Sequence, residues 1–126
     1  MKRVLVVDDN LLDRLLISRR ITNEYNNVIV KEAKDGLEAI TYIKDSDFDL
    51  IITDVVMPKM EGLELIQEIK KIDPKIPIVA ISGGNPYYLY LAKKSGVTDI
   101  FTKPLPGELF ISKISKYLDI KHKIVA

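Results

Sequence analysis

The chain contains no cysteine, which excludes a disulfide framework and a thiolate metal site. Neither sign of charge dominates, since 19 Lys and Arg against 18 Asp and Glu leave a formal net charge of +1. This balance predicts no binding to nucleic acid or to a membrane surface. No apolar run is long enough to cross a bilayer, and two aspartates interrupt the start MKRVLVV too early for a signal peptide. The absence of cysteine suits a cytoplasmic protein.

Five short apolar runs rich in β-branched residues alternate with stretches of helical spacing. The runs are Val4 to Val7, Val28 to Val30, Leu50 to Thr53, Ile76 to Ile81 and Val97 to Phe101. They are mostly continuous, which is typical of strands buried on both faces. The alternation predicts an α/β fold in which right-handed crossovers cover a parallel sheet on both sides. We expect one domain over residues 1–120 and a short solvated tail over 121–126.

Apolar stripes predict which side of each helix faces the sheet. The first helix is predicted to bury Leu12, Leu15, Leu16, Ile17 and Ile21. Its arginines are predicted to face solvent: Arg14, Arg19 and Arg20. A helix is also predicted between the cap Asn85-Pro86 and the stop Gly96, although three tyrosines crowd its first turns.

Acidic side chains follow two of the predicted strands, at the strand ends where open parallel sheets bind ligands. Asp8 and Asp9 follow the first strand, and Asp54 follows the third. If these strands are neighbours, three carboxylates converge and repel one another unless a cation lies between them. Oxygen ligands without His or Cys select a hard ion such as Mg²⁺. By itself, the adjacent pair would more often cap the following helix.

Two further strand ends carry side chains that suit phosphoryl chemistry. Ser82 follows the fourth strand and Lys103 the fifth. A carboxylate can attack a phosphoryl group and form an aspartyl phosphate. Mg²⁺ and a lysine ammonium would neutralise the transferring oxygens, to which a hydroxyl can donate a hydrogen bond.

These residues together resemble the receiver domain of two-component response regulators, over essentially the whole chain. The matching motifs are Asp8-Asp9, Asp54-Val55-Val56-Met57-Pro58 with Gly62 following, Ser82, and Lys103-Pro104. The resemblance implies a flavodoxin-like, doubly wound sheet in the order 2-1-3-4-5 with five helices. It implies a stand-alone signalling domain that catalyses only its own phosphorylation and dephosphorylation. A histidine kinase or a histidine phosphotransfer protein would supply the phosphoryl group, and the output would be protein binding or onward phosphotransfer.

The resemblance also implies a role for each site residue. Asp54 accepts the phosphoryl group, while Ser82 and Lys103 hold its oxygens. The Mg²⁺ ligands would be Asp9, Asp54 and the backbone carbonyl of Val56, with Asp8 acting largely through water. The Lys103-Pro104 peptide bond is expected to be cis.

Three positions depart from the family pattern. Ile100 stands where family members usually carry an aromatic residue that moves on activation, and Phe101 points to the other face of the strand. Val56 is apolar where a polar side chain is common, and Gly83 leaves the phosphoryl site open. We therefore expect a switch without the aromatic movement and an altered phosphoryl lifetime. The candidate partner surface is formed by the tyrosines of the fourth helix, which are Tyr87, Tyr88 and Tyr90.

Two alternative functions remain open. A degenerate receiver would act as an interaction module independent of phosphorylation, but the complete set of acidic, Ser and Lys residues disfavours it. A Mg²⁺-dependent phosphohydrolase of the haloacid dehalogenase type would carry its second aspartate two residues after the nucleophile. Here Asp8 and Asp9 are adjacent, Asn10 follows, and a cap domain is missing. A nucleotide-binding protein fits less well, because no glycine-rich loop follows the first strand.

Overall fold

The computed structural model describes residues 1–57 and 62–120, in which five strands alternate with five helices. The strands are β1 (Lys2–Val7), β2 (Val28–Ala33), β3 (Leu50–Asp54), β4 (Ile78–Ser82) and β5 (Asp99–Thr102). The helices are α1 (Leu11–Glu24), α2 (Gly36–Asp45), α3 (Gly62–Ile72), α4 (Pro86–Lys94) and α5 (Gly107–Leu118). The predicted tail at 121–126 and Pro58 of the second motif lie outside the described residues.

The strands form one parallel sheet in the order β2-β1-β3-β4-β5, so the predicted flavodoxin-like topology is confirmed. Every strand differs from its predicted run at one end or at both, and three of these differences have a local cause. β2 continues past Val30 to Ala33, because it pairs with the whole length of β1. β4 begins after Pro77, which has no backbone N–H to donate to the ladder. β5 begins at Asp99, two residues after Val97, whose N–H donates to the carbonyl of Ala92 near the end of α4.

The core consists of two apolar layers, one on each face of the sheet. Alternation along β3 sends Leu50 and Ile52 into the layer that contains α1 and α5, and Ile51 into the layer of α2, α3 and α4. All three side chains are fully buried. The helices cover both faces of the sheet, and the edge at which its strands end is left for polar residues.

The predicted buried stripe of α1 is wrong in part. Ile17 and Ile21 are buried, but Leu12 is 64% exposed and Leu16 is 58% exposed. Leu16 borders a cavity of about 300 Å³ between α1 and α5, so it does not pack on the sheet. Arg14 is not free in solvent either: its Nε donates to Oε1 of Glu32 over 3.0 Å, and its Nη1 donates to the Asp8 carbonyl over 2.8 Å. The described part of the chain has no helix that could span a membrane.

Candidate functional site

The carboxyl ends of β1 and β3 bring three carboxylates together. The two strands are neighbours with Val7 paired to Thr53, so the residue after each pair lies at the same edge. One carboxylate oxygen from each of Asp8, Asp9 and Asp54 lies within 4.8 Å of the other two. Asp8 is fully buried, Asp54 is 7% exposed, and Asp9 is exposed. The structure thus places the predicted acidic residues in one small pocket that opens towards solvent at Asp9.

Asp54 lies in an environment that disfavours its negative charge. Burial raises the pKa of its carboxyl, and the neighbouring charge of Asp8 raises it further. The Lys103 ammonium and the N–H of Val56, which donates to Oδ1 over 3.2 Å, both act to lower that pKa. The raising effects are the larger, so the ionised form of Asp54 is disfavoured unless a further cation approaches it. Clustered carboxylate oxygens without His or Cys are a donor set that fits Mg²⁺.

Both oxygens of Asp8 are engaged within the protein. Oδ1 accepts the N–H of Asn10 over 2.9 Å, and Oδ2 lies 2.9 Å from Nζ of Lys103. The contacts to the two oxygens of Asp54 are longer, at 3.2 and 3.3 Å, and Asp9 is exposed to solvent. Asp9 and Asp54 are therefore the carboxylates more accessible to an ion. The arrangement agrees with the expectation that Asp8 acts on a metal indirectly, which stays a prediction.

Lys103 connects the end of β5 to the acidic pocket. Its Nζ also lies 2.9 Å from Oδ2 of Asp13 and 3.3 Å from Oδ2 of Asp54. Burial acts to lower the pKa of Lys103, but its hydrogen bonds to Asp8 and Asp13 and the negative charges of Asp54 and Asp8 together outweigh this effect and raise the pKa above its usual value. Lys103 is therefore a cation at neutral pH. The Lys103–Pro104 peptide bond is cis, as expected.

The Asp13 contact was absent from the sequence-based set of site residues. Asp13 lies in the first turn of α1, where an acidic side chain is common because it favourably faces the positive end of the helix dipole. Because this general reason is sufficient to explain an aspartate here, the sequence offered no cause to expect its contact with Lys103, which is 90 residues away. The sequence signal that was available is its position in the turn directly after the Asp8-Asp9 pair.

Ser82 and Gly83 lie beside this cluster. The Ser82 side chain is buried, and its Oγ accepts the N–H of Gly84 over 3.3 Å, so the hydroxyl is linked to the following loop. Gly83 is exposed, and a Cβ added to it would meet the Lys103 side chain at 3.4 Å, an ordinary contact distance. The glycine therefore leaves open a position that a larger residue could occupy above Lys103.

The residues predicted to form the switch lie on both faces of β5. Ile100 is half-buried against the layer of α2, α3 and α4. Phe101 is buried in the opposite layer, where its ring meets that of Phe110 edge to face at 5.5 Å. Strand alternation therefore separates the two side chains as predicted.

The three tyrosines of α4 do not form a uniform exposed surface. Tyr87 is 57% exposed and Tyr90 is 53% exposed, and their rings stack at 6.3 Å. Tyr88 is half-buried and packs against the core. A partner that contacts this helix would therefore meet Tyr87 and Tyr90 in preference to Tyr88.

The raised pKa of Asp54 predicts how pH affects the metal-free protein. The folded state binds the Asp54 proton more tightly than the unfolded state does, so stability falls as pH rises from about 4 through the folded-state pKa. In EDTA at pH 7, Asp54→Asn should therefore raise the free energy of unfolding. The gain should shrink as pH approaches the unfolded-state pKa. Urea unfolding of wild type and Asp54→Asn from pH 7 down to about 4 measures the difference in their free energies of unfolding. A difference that does not change with pH would contradict the electrostatic cause.

Comparison with known proteins agrees with this doubly wound fold and its acidic pocket. The family model of the response regulator receiver domain matches residues 4–115. The chain is 34% identical over 116 residues to the chemotaxis protein CheY of Thermotoga maritima, covering 91% of this chain and 96% of that protein. It is 31% identical over 121 residues to the CAI-1 autoinducer sensor kinase/phosphatase CqsS of Vibrio cholerae, covering 93% of this chain and 17% of that protein.

A solved structure of the response regulator TrrA from Thermotoga maritima, in complex with Mg(2+)-BeF, has a TM-score of 0.82 at 27% identity. The match covers 93% of this chain and 99% of that one. The chain belongs to the response regulator receiver domain family. Phosphorylation on an aspartate and Mg²⁺ binding are general in this family, whose members are mostly non-enzymatic signalling modules that interact with histidine kinases and downstream targets.

Proposed function

We propose that this protein is a stand-alone response regulator that accepts a phosphoryl group on Asp54 in a Mg²⁺-dependent reaction. The observation that best supports the proposal is the Lys103 ammonium, which lies 3.3 Å from Oδ2 of Asp54 and beside the clustered carboxylates. A cation in this position can stabilise the negative charge of a phosphoryl group on that oxygen.

The chemistry is nucleophilic substitution at phosphorus. An Asp54 carboxylate oxygen attacks the phosphorus of a phosphohistidine, forming an O–P bond as the N–P bond breaks and imidazole leaves. Mg²⁺ held by Asp9, Asp54 and the carbonyl of Val56 would neutralise charge on the phosphoryl oxygens. Lys103 and the Ser82 hydroxyl donate hydrogen bonds to those oxygens.

The phosphodonor is proposed to be a histidine kinase or a histidine phosphotransfer protein, and the output a contact with another protein or onward phosphotransfer. The exposed Tyr87 and Tyr90 rings support a partner surface on α4, since aromatic side chains are enriched at the centres of protein interfaces. The balanced charge supports proteins as partners over nucleic acid. A cytoplasmic location and the assignment of residues 1–120 to the receiver domain belong to the same proposal.

Intact-mass measurement after incubation with acetyl phosphate tests the proposal. The wild-type protein should gain a single phosphoryl group when Mg²⁺ is present and none in EDTA. Asp9→Asn should need a higher Mg²⁺ concentration to reach the same occupancy, because it removes the exposed carboxylate of the cluster. Steady release of phosphate from varied esters would favour a phosphohydrolase instead. A protein that gains no phosphoryl group under any condition would favour a degenerate receiver.

A further inference from the structure

We propose that Asp13 is a positioning residue that holds the Lys103 ammonium and competes for it with the phosphoryl group. The inference rests on the proposed function, because it concerns the same phosphoryl site. Asp13 lies in the first turn of α1, and Lys103 follows β5, so the contact joins two elements on either side of the acidic pocket.

The ammonium of Lys103 has three protons to donate, and the resting site supplies three acceptors. Oδ2 of Asp8 and Oδ2 of Asp13 each lie 2.9 Å from Nζ, while Oδ2 of Asp54 lies farther away, at 3.3 Å. Asp13 is therefore as close a partner as the fully buried Asp8 and a closer one than the phosphoacceptor. A phosphoryl oxygen gains a hydrogen bond from Lys103 only when the hydrogen bond from Lys103 to one of these acceptors breaks.

Asp13 differs from the other two acceptors in how its interaction with Lys103 changes when Mg²⁺ is bound and Asp54 is phosphorylated. Asp8 and Asp54 belong to the carboxylate cluster, whose charge a bound Mg²⁺ would offset. Phosphorylation also converts an Asp54 oxygen into an acyl phosphate. Asp13 is outside that cluster, so a bound Mg²⁺ would offset its charge less, and its attraction for Lys103 persists when the attraction of the other two weakens.

The side chain of Asp13 is 38% exposed, and solvent therefore limits the strength of its ion pair with Lys103. Such a contact is strong enough to bias the position of the ammonium and weak enough to be displaced. The N–H of Asp13 donates to Oδ1 of the cap residue Asn10 over 3.0 Å, which orients the first turn of the helix. Replacement of Asp13 by Asn or Ser leaves this contact in place, because it involves only the backbone N–H of residue 13.

Beryllofluoride, a phosphoryl mimic, tests the competition. Its affinity in saturating Mg²⁺ is measured by isothermal titration for wild type, Asp13→Asn and Asp13→Ser. We expect both variants to bind it about two- to fivefold more tightly, the range that a partly exposed ion pair supports. The matched control is Glu108→Gln, which removes an exposed acidic charge from the first turn of α5, since Glu108 is not among the described partners of Lys103.

Affinity for Mg²⁺ alone distinguishes positioning from a general charge effect. Asp13→Asn and Glu108→Gln should bind Mg²⁺ equally, because neither residue belongs to the metal-binding cluster. The inference is overturned if the Asp13 variants bind beryllofluoride no more tightly than Glu108→Gln, or if their Mg²⁺ affinity changes by the same factor. Failure of the wild-type protein to bind beryllofluoride with Mg²⁺ would instead overturn the proposed function.

Discussion

Asp54→Asn protein incubated with Mg²⁺ and acetyl phosphate will gain no phosphoryl group, while wild-type protein gains one. The amide of asparagine lacks the anionic oxygen that attacks phosphorus, so the loss should be complete within the sensitivity of intact-mass measurement. The substitution nearly conserves size and removes a charge that burial disfavours. We therefore expect the variant to fold, and its amide spectrum should resemble that of the metal-free wild type.

Asp45→Asn is the matched control for this experiment. Asp45 is an exposed aspartate at the end of α2, and its replacement should leave phosphorylation unchanged. A phosphoryl group on Asp54→Asn at wild-type occupancy would identify another acceptor and contradict the assignment of Asp54. Fragmentation of the modified chain would then locate that acceptor.

Gly62→Ala should destabilise the fold by about 3 kcal/mol or more, in the upper range for a substitution that forces backbone apart. A Cβ added to Gly62 would lie 2.4 Å from the carbonyl oxygen of Asp54 and 2.5 Å from Cα of Val55. Both are backbone atoms and cannot rotate away. The N–H of Gly62 also donates to the Val55 carbonyl over 2.9 Å, so the start of α3 is attached where the clash occurs.

Urea unfolding measures this effect, with Gly84→Ala as the control. The nearest atom to a Cβ on Gly84 is Oγ of Ser82 at 4.0 Å, so that substitution should change the free energy of unfolding by less than about 0.5 kcal/mol. If the two variants unfold at the same urea concentration, then α3 can move away from the end of β3 without loss. Because the clash involves the carbonyl of Asp54, Gly62→Ala should also slow phosphorylation of the folded fraction.

Much of the acidic pocket was predictable from the order of residues along the chain. Continuous apolar runs separated by helical stretches require a parallel sheet with covered faces. Parallel strands all end at the same edge, and so the residues that follow them must meet there. Asp8, Asp9 and Asp54 are in one pocket for this reason, once β1 and β3 are neighbours.

Residues outside the strand ends were less predictable. The helical period of α1 was correct, but Leu12 and Leu16 are exposed because period alone does not say how far a helix overhangs its sheet. Arg14 looked like a surface residue in the sequence, yet it donates to the carbonyl of Asp8. Tyr88 belongs partly to the core, although it is adjacent in sequence to the exposed Tyr87.

The sequence by itself determined the alternation of strands and helices and the acidic residues that follow the strands, because both can be read from local hydrophobic pattern. The strand order 2-1-3-4-5 was expected only from the resemblance to receiver domains, and the structure confirms it. Only the tertiary structure decided which acceptors surround Lys103. The contact with Asp13 depends on the angle at which α1 leaves β1 and on the path of the chain after β5, and neither is encoded by local pattern. Side chains 90 residues apart met at 2.9 Å because both elements begin or end at one edge of the sheet.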